Sequence, residues 1–204
     1  MVTNKVYVNN RGIGREESLK EIDRFSDYLD LSRKSRLHLQ LLMEELLGMV
    51  SQIGGDFDAE FWAEHDGKTC RLCLEAEIDK MNLEKRETFI SVSSAGKNAA
   101  VTGVMDKIKN IVELYWLGYM EAAKTVSGID YIGYNDTALS SMDTTRTVMN
   151  WSLSQYRTEV EKHKNSENIS EWDELEKSII ANLADDVSVG VRGETVEFVI
   201  TKDI

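Results

Sequence analysis

Residues 36–55 read RLHLQLLMEELLGMVSQIGG, an apolar run of helical spacing that sets two carboxylates, Glu44 and Glu45, among leucines and methionines. A run this apolar has to be buried. Ionised groups are costly in a core unless they are paired, bound to a ligand, or held where the helix edge meets solvent. The spacing predicts a helix over about 33–53, which Asp30 or Ser32 can cap and which Gly54-Gly55 closes, because glycine takes a left-handed stop at little cost. The rest of the chain has to pack around this element, and the flank with the glutamates is the first place to look for chemistry.

Upstream, a short strand at 5–8 precedes EESLKEIDRFSDYLDLS, in which Leu19, Ile22, Phe25, Tyr28 and Leu29 recur at the spacing of an amphipathic helix. Downstream, Phe57, Ala59, Phe61 and Ala63 alternate with acidic residues, Asp66-Gly67 supplies a tight turn, and Cys70, Leu72, Leu74, Ala76 and Ile78 alternate again. This is a β-hairpin with one buried face. A polar stretch at 79–98 follows, with a short strand expected at 89–92. Next come a helix at about 99–124, irregular structure at about 126–144 and helices at about 145–163 and 171–183, the last capped by Ser170 with Asp173 three residues on. VSVGVRGETVEFVI closes the pattern as a second hairpin. The order of elements fits an α+β two-layer sandwich, a mixed, largely antiparallel sheet with helices packed on one face. A single domain over 1–204 is expected, with about 126–171 as an insertion or helical appendage.

Charge and composition exclude several classes of function. A formal net charge of -12 repels nucleic acid and anionic lipid, which need lysine and arginine to replace their counterions. No stretch has the roughly 18 consecutive apolar residues of a membrane span, and MVTNKVYVNNRGIG lacks the layout of a secretion signal, so a cytoplasmic protein is expected. Cys70 and Cys73 have C-x-x-C spacing, but strand alternation sends them to opposite faces, and no second cysteine pair completes a zinc shell. His38, His65 and His163 are too far apart in sequence to argue for a metal centre. Ser-His-Asp, G-x-S-x-G, H-E-x-x-H and dinucleotide fingerprints are all missing.

The element order and LHLQLLMEELLGMV resemble the GHKL ATPase superfamily, in particular the ATPase domains of anti-sigma-factor serine kinases and sensor histidine kinases. In that family a helix carries E-x-x-x-N, whose glutamate helps to activate water and whose asparagine holds magnesium on the ATP phosphates. Glu45 matches the acidic position and Met49 stands where the asparagine should be. A thioether is a soft ligand and magnesium a hard ion that wants oxygen, so Met49 cannot replace the amide. A helical wheel puts His38, Glu45, Met49 and Gln52 on one flank, the one expected to face a nucleotide. The family's D-x-G-x-G motif is matched by Asp79, followed by Lys80-Met81-Asn82-Leu83, so the adenine-contacting acid is kept and both glycines are replaced. SVSSAGKNAAVTG resembles the phosphate loop before a helix, with Ser93, Ser94, Gly96, Lys97 and Asn98 at the helix start.

The resemblance therefore implies ATP or ADP as ligand, contacted by Glu45, Asp79, Ser94, Gly96, Lys97 and Asn98, with magnesium deprived of its usual ligand. The expected function is a nucleotide-binding or nucleotide-derived regulatory domain without efficient hydrolysis, since phosphoryl transfer depends on neutralising phosphate charge. Two alternatives stand beside it. One is a nucleotide-free interaction module of anti-sigma-factor type, using helices that carry Trp116, Trp151 and Trp172; the other is an active kinase or ATPase with Glu45 as base. The expected partner is a regulatory protein, with a homodimer an open alternative; nucleic acid and membrane are not expected.

Overall fold

The computed structural model describes residues 1–54, 57–78, 149–162, 178–192 and 195–204. Numbered in chain order over these residues, the elements are β1 (Val6–Asn9), α1 (Arg15–Tyr28), α2 (Arg33–Gly54), β2 (Phe57–His65), β3 (Thr69–Ile78), β4 (Met149–Ser152), α3 (Leu153–Lys162), α4 (Ile179–Leu183), β5 (Asp186–Arg192) and β6 (Thr195–Asp203). The strands form one sheet in the order β1-β2-β3-β6-β5-β4, and every described pairing is antiparallel. The fold class is α+β. The central β3–β6 pair runs from Thr69 opposite Asp203 to Glu77 opposite Thr195, so residues distant in sequence hold the middle of the sheet.

Strand alternation gives the sheet two unlike faces. Val8, Phe61, Leu72, Leu74, Phe198 and Ile200 are buried on one of them. They share a core with Ile22 and Phe25 of α1 and with Leu39, Leu42, Met43, Leu46, Met49 and Val50 of α2. The α2 residues recur at three- and four-residue intervals, the stripe a helix needs to lie on a sheet. Each large apolar side chain buried here contributes about 1.5–3 kcal/mol. On the other face Asp58, Glu60, Glu75, Glu77 and Glu197 are exposed. The register sets Glu60 opposite Glu75 and Glu75 opposite Glu197, like charges that repel. Lys5 offsets part of this, with Nζ 2.6 Å from Glu60, 3.9 Å from Glu75 and 4.5 Å above the Trp62 ring.

Local chemistry sets the element ends. Ser32 caps α2, its Oγ accepting from the Ser35 amide at 3.1 Å. In the hairpin turn Asp66 Oδ1 accepts from the Lys68 and Thr69 amides at 3.2 and 3.1 Å, and Gly67 takes φ +103°. Those donors, Thr69 foremost, hold the Asp66 carboxyl below its ordinary range.

The expected helix over 145–163 is corrected in its first half. Residues 149–152 are strand β4, paired to β5 with Trp151 opposite Val189, and the helix starts only at Leu153. Ser152 marks the change, its Oγ accepting from the Gln155 amide at 3.2 Å. Pairing with a strand some forty residues on overrides the local pattern here. The helix expected over 171–183 is not continuous either: Ser178 is extended (φ −73°, ψ 120°) and caps the short α4 by accepting from the Ala181 amide. Ser170 and Asp173 lie outside the described residues, as do the strand at 89–92, the helix at 99–124 and the segment 126–144. Residues 149–162, inside the interval read as an insertion or appendage, form the edge strand β4 of the sheet and the helix α3 that follows it. No helix among the described residues is long and apolar enough to cross a membrane.

Candidate functional site

Helix α2 has three flanks with different surroundings. The first is the core stripe. The second faces α1, where Arg36 pairs with Asp27, Gln40 Nε2 donates to Asp23 Oδ1 at 2.8 Å, and Glu44 accepts from Arg15. Residues 36, 40 and 44 are four apart, so one row of the helix meets partners that step backwards along α1, as in an antiparallel helix pair. The third flank faces outward. There Leu37 is 53 % and Leu41 39 % exposed, with His38 and Glu45 half-buried.

The two glutamates thus differ although they are adjacent. Arg15 grips Glu44 with two donors, Nε to Oε1 at 3.2 Å and Nη2 to Oε2. The pairing raises the pKa of Arg15, chiefly through the hydrogen bond to Glu44. The Glu45 carboxylate makes no hydrogen bond or ion pair among the described residues, and it is the position the family resemblance singles out.

Met49 requires a correction. The wheel assigned it to the nucleotide-facing flank with His38 and Glu45, but it is 1 % exposed inside the core cluster. It stands seven residues after Leu42 and three after Leu46, so it continues the core stripe. This position does not fit magnesium, for reasons of both chemistry and access: its donor is sulfur, and it is sealed from solvent. Asp79, Ser94, Gly96, Lys97 and Asn98 lie outside the described residues, as do Met81, Leu83 and the side chain of Gln52.

Sequence reasoning missed Arg15 and the cleft beside it. The β1–α1 connection, Asn10 to Gly14, is folded tightly by Asn9, whose Oδ1 accepts from the Arg11 amide at 3.0 Å and the Ile13 amide at 3.2 Å. Gly14 ends it at φ +80°, and a Cβ there would lie 1.9 Å from the Tyr7 carbonyl oxygen, so only glycine lets the chain turn into α1 at this point. Between this connection and α2 lies a cleft of about 210 Å³ whose lining includes Val8, Ile13, Arg15, Glu44, Leu47 and Phe57. The signal was present as NNRGIGR, a turn-rich run ending in arginine, but its partner lies 29 residues away.

The cysteines are free and buried, on opposite faces as strand alternation predicts. Burial pushes Cys70 up to about 11 and Cys73 up to about 12, so both remain thiols at neutral pH. Among the described residues no group of three or more histidine, cysteine or acidic side chains could hold a metal ion. No family model, curated protein or solved structure matches the chain.

Proposed function

We propose that this chain is a divergent GHKL-type regulatory domain that binds ATP or ADP without magnesium, does not hydrolyse nucleotide efficiently, and acts by contacting a regulatory protein. The supporting observation is the divided state of α2. Glu45, the residue matching the family acid, lies half-buried on the outward flank with no partner among the described residues, while Met49, at the position of the magnesium ligand, belongs to the core. A site that keeps its acid and loses its metal ligand retains polar contact with a nucleotide but lacks neutralisation of the phosphates, on which phosphoryl transfer relies. Calorimetric titration with ATP and ADP is the test, and the absence of heat up to about millimolar nucleotide, the range of weak specific sites, removes the nucleotide from the proposal.

A second reading has an observation of its own. Leu37 and Leu41 are exposed one turn apart on the same flank as Glu45, an apolar pair suited to a protein partner. On this reading the scaffold is a nucleotide-free interaction module. Partner capture from native cells that survives nucleotide removal and is lost in a Leu37→Asp, Leu41→Asp variant favours it over the first.

A further inference from the structure

The cleft between the β1–α1 connection and α2 lies on the flank of α2 that faces α1, away from Glu45, and has a composition of its own. Its floor is apolar, with Val8 and Phe57 both buried and Leu47 beside them. Its mouth is polar, with the Arg15 guanidinium contributed by α1 and the Glu44 carboxylate by α2. Gly48 forms part of the wall, and a Cβ placed there would meet nothing within 4 Å, so the space beside the helix backbone is open. At about 210 Å³ the cleft is below the roughly 300–1,000 Å³ of sites for drug-sized ligands, too small for a nucleoside triphosphate.

The ion pair does not exhaust its own hydrogen-bonding capacity. Arginine has five N–H donors and Glu44 engages Nε and Nη2, while a carboxylate offers about four lone-pair positions, of which Arg15 occupies two. The mouth therefore presents spare cationic donors on one side and spare anionic acceptors on the other, 63 % and 29 % exposed respectively, above an apolar floor. The geometry points to a site for a small zwitterion with an apolar tail, that is, a free apolar α-amino acid. Its carboxylate lies against Arg15, its ammonium against Glu44, and its side chain over Phe57 and Leu47. Charge-assisted hydrogen bonds at both ends give orientation, and burial of the tail gives affinity. The inference does not depend on nucleotide binding.

The experiment is an amide-detected NMR titration of the full chain with L-leucine, N-acetyl-L-leucine, which lacks the ammonium, and L-leucinamide, which lacks the carboxylate. L-leucine is expected to shift the Gly12, Arg15 and Gly48 amides saturably, with both analogues weaker by about tenfold or more, since each loses a charge-assisted contact. Gly48→Leu fills the open wall with a good helix former and is expected to abolish the shifts while leaving the fold intact. Three results overturn the site: no saturable shift by about 10 mM L-leucine, where even weak sites fill; equal binding of the three compounds; or undiminished binding by a folded Gly48→Leu variant.

Discussion

Glu44 and Glu45 are neighbours on one helix and belong to different regions of the molecule. Glu44 looks toward α1, where Arg15 holds it with two hydrogen bonds beside a cleft; Glu45 looks outward with exposed leucines and no partner among the described residues. The difference arises from the roughly 100° that one residue turns along a helix. The core stripe fixes how α2 lies on the sheet, and everything else follows from that orientation. A carboxylate in an apolar run is therefore explained by fold in one case and left available for a ligand in the other.

The largest expected effect is at the residue the sheet claims. Met49→Asn supplies the amide of the motif that the α2 sequence resembles, but in a core position it leaves a cavity and an unpaired polar group, and should cost about 3 kcal/mol or more. In thermal denaturation that is a fall of roughly 6–12 °C for a chain of this size. A Met49→Asn variant of unchanged stability that gains magnesium-dependent ATP binding would place residue 49 on the outward flank and undo the contrast.

Gly14→Ala comes next. Positive φ and the approach to the Tyr7 carbonyl leave no room for a methyl group, and a loss of about 1–3 kcal/mol in urea unfolding is expected. A neutral result would mean that the connection placing Arg15 against Glu44 is slack.

The two glutamates then separate by smaller amounts. Glu44→Gln should lose up to about 1 kcal/mol, because the pair it breaks is only partly shielded from water, and the loss should shrink in high salt. Glu45→Gln should stay within about 0.5 kcal/mol of the parent at any ionic strength. Equal losses, or a greater loss at Glu45, would reverse the assignment of the two flanks.

Most of the architecture was legible because it is written in local periodicity. The hairpin over residues 57–78 announces itself by two-residue alternation on both sides of Asp66-Gly67, and α1 and α2 by apolar stripes and the Ser32 cap. Strand β4 was not legible, because MNWS becomes a strand only through β5, and Ser152, whose cap shows where the helix truly starts, reads equally well inside a helix. The candidate site was legible in part. A helical wheel gives the angle between Glu44, Glu45 and Met49 but not the rotation of the whole helix against the sheet, so Met49 was assigned to the polar edge of a stripe that in fact includes it. Arg15 escaped because no local pattern connects it to a glutamate 29 residues later.

The most direct test of the central claim, that position 49 of α2 belongs to the core and supplies no ligand for magnesium, is the affinity for ATP measured by calorimetry in excess magnesium and again in excess EDTA. The account predicts the same dissociation constant in both and no phosphate release. An affinity that collapses in EDTA, together with turnover that Glu45→Gln abolishes, would contradict it.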